Sequence, residues 1–301
     1  MELIRGSTEH YFMKALDDLK GQPTHWYGLH FCLSKILDHA DLVSNVSEMA
    51  QKIDAARARS DVFADELYGV LKDCFKGSLC VFEDLDVFAL VQVCNKMDIK
   101  HLDEAFNKMK AKLPKGYAGM DGLASQLRNY QKLADEKVLS ARKFEAYRAM
   151  ADKRKVSSIQ VRRKRRESPL VMVVEDDRFT AHYASMILST DFDLVVCKDG
   201  EEAVQAYIEH APDIVFLDIH LPGMSGHDVL QSIHAIDPQG FVVMLSVDTV
   251  RDNIVRASQM GARNFIKKPF TKERLIEIVK NSPYVRELTR SDRAGSETMF
   301  H

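Results

Sequence analysis

Five short apolar runs, each followed by a segment of helical periodicity, fill residues 170–281. The runs are LVMVV (170–174), LVVC (194–197), IVFLD (214–218), FVVMLS (241–246) and NFI (264–266). Unbroken apolar runs of this length suit strands buried on both faces. The segments 178–189, 199–210, 226–236, 250–260 and 271–281 instead space their apolar residues as helices do, for example Phe179, Tyr183, Met186 and Ile187. Such alternation leaves few topologies. It predicts a doubly wound, five-stranded parallel α/β unit about 120 residues long.

In an open parallel sheet, ligands bind beyond the carboxyl ends of the strands. The first run ends in Glu175-Asp176-Asp177, the third in Asp218 and the fourth in Ser246, and the fifth leads into Lys267-Lys268-Pro269. Clustered carboxylates repel one another and take up protons unless a cation offsets them. Oxygen donors at a partly open site suit Mg²⁺. A carboxylate beside Mg²⁺, a hydroxyl and a lysine is equipped for phosphoryl transfer.

Residues 169–287 resemble a response-regulator receiver domain. VVEDD (173–177) matches the family's acidic pair and FLDIHLPGMSG (216–226) its phosphoacceptor loop. Ser246 follows Asp218 by 28 residues, and Lys268-Pro269 follows Ser246 by 22. Phe265 matches the switch aromatic. The resemblance implies that Asp218 is the phosphoacceptor. It implies Mg²⁺ as cofactor, held by Asp176 and Asp218, by Glu175 through water and by the His220 carbonyl. Ser246 and Lys268 would hold the phosphoryl oxygens, while Ser246 and Phe265 would carry the switch. A histidine kinase or phosphotransfer protein is the implied donor, and a bacterial cytoplasm the implied setting. The chain departs from the pattern at Leu221 and Val247. His220, Val247 and Asp248 stand where receivers tune dephosphorylation. The Lys268–Pro269 bond is a candidate cis peptide. The receiver is expected to catalyse only its own phosphoryl uptake and slow loss, and a separate enzyme activity of the N-terminal domain stays open.

Residues 1–120 form an N-terminal, mostly helical or α+β domain, 121–168 a long helix and basic linker, and 288–301 a polar tail. Helical spacing recurs in 9–20, 42–57, 61–75 and 101–113. WYGLHFCL (26–33), SLCVF (78–82) and VFALVQV (87–93) read as strands, the last two joined by the acidic turn Glu83-Asp84-Leu85-Asp86. The order of helix, strand, acidic turn, strand and helix resembles that of GGDEF-type nucleotide-cyclase palms. The glycines of that turn are missing, which argues against cyclase activity even in a shared fold. Regulators with a sigma-factor-like domain also place the receiver last, but no motif in 1–150 extends that match. The helix over 122–153 is either a dimerising coiled coil or a signalling helix packed on its own domain.

Charge separates the two halves. Residues 1–168 carry 29 Lys and Arg against 24 Asp and Glu, and residues 169–301 carry 13 against 20. The basic run Arg162, Arg163, Lys164, Arg165, Arg166 has three readings: a solvated linker, a brace against the acidic receiver, or a nucleic-acid contact. The five cysteines show no CxxC pair and no zinc-like histidine spacing, so they read as reduced thiols. The histidines, His25, His30 and His39 among them, read as structural. No run approaches the roughly 18 apolar residues that span a bilayer, so no membrane partner is expected. Three functions stay open: a phospho-switched protein whose N-terminal domain binds an unidentified output protein, an enzyme with a nucleotide-handling N-terminal domain, or a nucleic-acid binder.

Overall fold

A computed structural model describes residues 1–247 and 251–285, without the side chains of 251–254. The chain divides into two compact units. The first comprises residues 1–42 and 48–144, and the second residues 43–47 and 145 onward. The division falls at Phe144, inside the long helix, rather than at residue 120.

The first unit opens with β1 (Glu2–Arg5), α1 (Thr8–Asp18) and β2 (Trp26–Phe31). After α2 (His39–Ser44), α3 runs unbroken over Val46–Leu71, joining what the periodicity separates into 42–57 and 61–75. Its Met49, Ile53, Ala56, Phe63, Leu67 and Leu71 lie on one buried side, so a single stripe serves the whole length. The hairpin β3 (Lys76–Val81) and β4 (Val87–Gln92) precedes α4 (Lys96–Lys110), β5 (Ala118–Gly122) and α5 (Leu123–Ala151). Asn95 caps α4 in a reciprocal capping box with Asp98. β1 and β5 escape the periodicity analysis because both are short, and the alternation of Ala118 and Met120 with Gly119 and Asp121 spans too few residues to register.

The sheet order is β1-β3-β4-β2-β5, with β1 parallel to β3 and every other pair antiparallel. The last four strands make the split β-α-β order of ferredoxin-like folds. Strand alternation sends Leu79, Val81, Val87, Ala89 and Val91 to the face covered by α3 and α4. Cys80, Phe82, Phe88 and Leu90 go to the other, against Phe12 and Leu16 of α1 and Leu123 and Tyr130 of α5. Gly28 is required at this second face. A Cβ there would lie 2.7 Å from both Phe88 and Tyr130.

In the second unit, the basic segment is helical: α6 (Lys153–Ser157) and α7 (Ile159–Lys164). Then come β6 (Leu170–Val174), α8 (Arg178–Leu188), β7 (Asp193–Cys197), α9 (Gly200–His210) and β8 (Ile214–Asp218). They are followed by α10 (Gly226–Ile236), β9 (Val242–Ser246), α11 (Arg251–Gln259), β10 (Asn264–Lys267) and α12 (Lys272–Asn281). The sheet is wholly parallel, in the order β10-β9-β8-β6-β7. The order reverses beside β6 and β8, where a crevice opens for ligands. β6, β8 and β9 are buried at every position, as their unbroken apolar runs require.

The basic segment is a brace. Arg163 is 3% exposed and donates to the Pro212 carbonyl, the Tyr207 and Tyr284 hydroxyls and, at 2.7 Å, to Asp237 Oδ2. Arg162 donates to the Glu209 and Ile208 carbonyls, and Arg166 to those of His210 and Ala211. Those carbonyls end α9, where the helix leaves acceptors unfilled and its dipole favours cations. Lys164 and Arg165 stay exposed.

Candidate functional site

Strand lengths bring the chemically active residues together at one sheet edge. Asp218 is the last residue of β8 and Ser246 the last of β9. Asp218 pairs in register with Leu245, and Ser246 with Lys267. Glu175 directly follows β6, its N–H held by the Cys197 carbonyl at 3.0 Å. Donor oxygens of Glu175, Asp176 and Asp218 all lie within 4.8 Å of one another. Lys268 Nζ reaches into this cluster, 3.0 Å from Asp218 Oδ2 and 2.5 Å from Glu175 Oε2. The Lys268–Pro269 bond is cis, and the Lys268 N–H donates to the Ser246 carbonyl at 2.8 Å.

Exposure divides the acids by role. Glu175 and Asp218 are buried, while Asp176 faces solvent. Burial pushes the Glu175 carboxyl above its ordinary range, against the pull of Lys268. Its Oε2 is buried, and the Lys268 ammonium is its one close cation among the described residues. A buried carboxylate oxygen of this kind suits a bound cation, and three oxygen donors beside an open side suit Mg²⁺. Asp177 takes no part in the cluster. It caps α8 through Thr180 N and Oγ1, which holds its carboxyl below the usual range.

The loop after Asp218 is fixed from both sides. Gly226 lies so close that a Cβ would stand 2.0 Å from the Asp218 carbonyl oxygen. Gly223 has φ +73°, a conformation that suits glycine. Glu201, on α9 and 1% exposed, accepts the Met224 N–H at 2.9 Å. Sequence reading passes over Glu201, because an acid in a helix's first turn looks like a dipole partner. His220 and Val247 are exposed, and Phe265 is half-buried on β10. Asp248 lies outside the described residues.

The apolar spacing of α8 does not all serve the core. Ile187 is buried, but Phe179 is 86% exposed and Tyr183 and Met186 are also in solvent. Phe179, Tyr183, Val247, Pro269 and Phe270 line an open groove of about 430 Å³ that Lys268 also borders.

Two of the three acids in the first unit's turn are withdrawn from solvent, while Glu83 is half-buried and pairs with Arg57 at 2.9 Å. Asp84 and Asp86 are each 2% exposed, and Lys137 of α5 binds both, at 2.8 Å for Asp84. Leu85 takes φ +80°, a conformation that favours glycine. It is held there by burial with Ala56 and Phe144 and by the Ser60 hydroxyl, which donates to its carbonyl at 2.6 Å.

The parallel sheet thus gathers three acids, a hydroxyl and a lysine at its carboxyl edge. Residues 171–280 match the response regulator receiver domain. A chemotaxis protein CheY of Bacillus subtilis is 34% identical over 114 residues, covering 37% of this chain and 95% of that protein. A DNA-binding response regulator MtrA of Mycobacterium leprae is 37% identical over 111 residues, 36% of this chain and 49% of that protein. A solved receiver domain of NtrX from Brucella abortus aligns at 32% identity over 38% of this chain and 98% of that one, with TM-score 0.36. The chain belongs to the response regulator receiver family and carries the receiver domain of a two-component response regulator. No helix among the described residues is long and apolar enough to cross a membrane.

Proposed function

We propose that Asp218 accepts a phosphoryl group from a histidine kinase or phosphotransfer protein, and that this switches the interactions of the first unit. The observation that carries the reading is Lys268 Nζ, 3.0 Å from Asp218 Oδ2 at the mouth of the acidic cluster. An Asp218 oxygen attacks phosphorus, the donor's N–P bond breaks, and the donor imidazole leaves and takes up a proton. Lys268 balances charge on the transferred oxygens, and the Ser246 hydroxyl donates to one of them. Glu175, Asp176, Asp218 and the His220 carbonyl would hold Mg²⁺, which supplies further charge neutralisation to the phosphoryl oxygens. Glu201 fixes the loop that carries the acceptor. The exposed ring of Phe179 and the groove beside Lys268 fit an apolar docking surface for the donor, next to the acceptor.

The phosphoryl group then biases two states of the receiver surface, with Ser246 and Phe265 as the repacking pair. His220, Val247 and Asp248 tune the lifetime of the acyl phosphate. The first unit acts by binding a protein partner rather than by chemistry, because Asp84 and Asp86 of its turn face inward onto Lys137. Asp218→Asn tests the reading. Labelling by a small phosphodonor such as acetyl phosphate should vanish in that variant, and retained labelling would remove Asp218 from its role.

A further inference from the structure

We propose that His30, Cys32 and Asp86 form a binding site for one Zn²⁺ ion in the first unit, independent of the receiver. The register of β2 and β4 sets His30 opposite Phe88 and Phe31 opposite Val87. One further step along both chains brings Cys32 opposite Asp86. Side chains two apart on a strand share a face, so His30 and Cys32 lie on one side. His30 Nε2 is 2.9 Å from Asp86 Oδ2, and Cys32 Sγ is 3.6 Å from each ring nitrogen of His30. One donor atom from each of the three lies within 4.8 Å of the others.

A tetrahedral zinc, with bonds of about 2.0 Å to nitrogen and oxygen and about 2.3 Å to sulfur, spaces its ligands by roughly 3.3–3.6 Å. The three side chains need only small torsional shifts to meet that spacing. Sulfur, nitrogen and oxygen donors in one set select zinc over Mg²⁺ or Ca²⁺.

The surroundings suit a divalent ion as well. The Ser34 N–H holds Asp86 Oδ1 at 2.8 Å, which orients the carboxylate from behind. Lys137 binds Asp86 Oδ2 as well as Asp84, so a zinc ion at Asp86 shares that carboxylate with the ammonium; Asp84, Asp86, the Cys32 thiolate and Lys137 together carry a charge of −2, which matches the ion. Neutrality matters because the acids are buried. The His30 side chain is 19% exposed and Cys32 is half-buried, so water can fill the fourth position. The His-x-Cys spacing escapes a search for zinc motifs, because it is a strand spacing completed by a neighbouring strand.

The test is a Co²⁺ titration of the metal-free full-length chain. One equivalent should give a thiolate-to-cobalt charge-transfer band that one equivalent of Zn²⁺ displaces. Cobalt at Glu175, Asp176 and Asp218 gives no such band, because those donors are oxygen. Cys32→Ser should abolish the band, and a Cys74→Ser, Cys94→Ser double variant should keep it. His30→Gln should weaken zinc binding by at least roughly tenfold. Absence of a thiolate band, or its persistence in Cys32→Ser, overturns the site. If Cys32→Ser fails to fold, alkylation of the unaltered chain decides: one equivalent of Zn²⁺ should slow modification of Cys32, and an unchanged rate overturns the proposal.

Discussion

Arg163 Nη2 stands 2.7 Å from Asp237 Oδ2, with both side chains almost wholly withdrawn from water at 2% and 1% exposure. Burial alone would raise the Asp237 carboxyl, yet Arg163 holds it below the usual range. The Tyr284 ring lies 4.7 Å from the guanidinium and covers it. Removing one partner of a buried pair leaves an uncompensated charge. Arg163→Ala should therefore destabilise the receiver unit by about 3–5 kcal/mol in denaturant melts. An Arg163→Met, Asp237→Leu double variant should recover most of that loss, because it removes both charges. A fragment starting at Pro169 should melt below one starting at Asp152, since only the longer keeps the brace. Equal midpoints for the two fragments would show that the brace adds no stability.

Gly226 sits against the acceptor's own backbone. In Gly226→Ala, the new methyl would meet the Asp218 carbonyl at 2.0 Å and push the loop or the strand end aside. A shift of about 1 Å at a reacting group can cost roughly 10²-fold in rate. Phosphoryl uptake from acetyl phosphate should fall by at least roughly tenfold. Wild-type uptake kinetics would show that the loop absorbs the methyl without moving Asp218.

Lys268 faces two acids. Lys268→Met should slow uptake by about 10²-fold, the scale of losing one electrostatic donor. Labelling should also stop when divalent cations are chelated. The raised Glu175 carboxyl makes proton and metal competitors. Mg²⁺ affinity, measured by calorimetry, should fall as pH drops, and the fall should begin above the pH at which an ordinary carboxylate titrates. Glu175→Gln should remove the early part of that fall.

His30 sets a pH window for the first unit. Burial by itself would lower its pKa, but the Asp86 hydrogen bond, with help from Cys32, raises it to about 9. A histidine raised from 6.5 stabilises the fold fully below about 6.5 and loses that contribution as pH rises through about 9. At 1.36 kcal/mol per pH unit the loss is on the order of 3 kcal/mol. With chelator present, thermal stability should decline over that window, and His30→Asn should flatten the slope. A slope of the same size in His30→Asn would assign the effect to another group.

The receiver half was legible because each of its strands carries a short apolar run, and β8 and β9 each end that run on a polar residue. Asp218 and Ser246 could be placed from that alone, since ending a buried parallel strand fixes where its last side chain emerges. The acidic cluster was legible for the same reason. The exposure of Phe179 was not, because periodicity reports spacing and cannot tell core from docking surface.

In the first unit, the hairpin, its acidic turn and most of the helical stretches could be read from local residue patterns, although these split α3 in two. These are local patterns of period 2 or 3.6. Only the tertiary structure decided that β5 pairs with β2, that Lys137 reaches Asp84 and Asp86 from more than 50 residues away, and that Cys32 faces Asp86 across a strand pair. It likewise turned the basic run into a brace, because the carbonyls that Arg162 and Arg166 fill lie at the end of a helix some 45 residues on. The physical reason is range. Side-chain spacing along one element is fixed by backbone geometry, whereas a buried charge finds its partner only once the chain has closed around it.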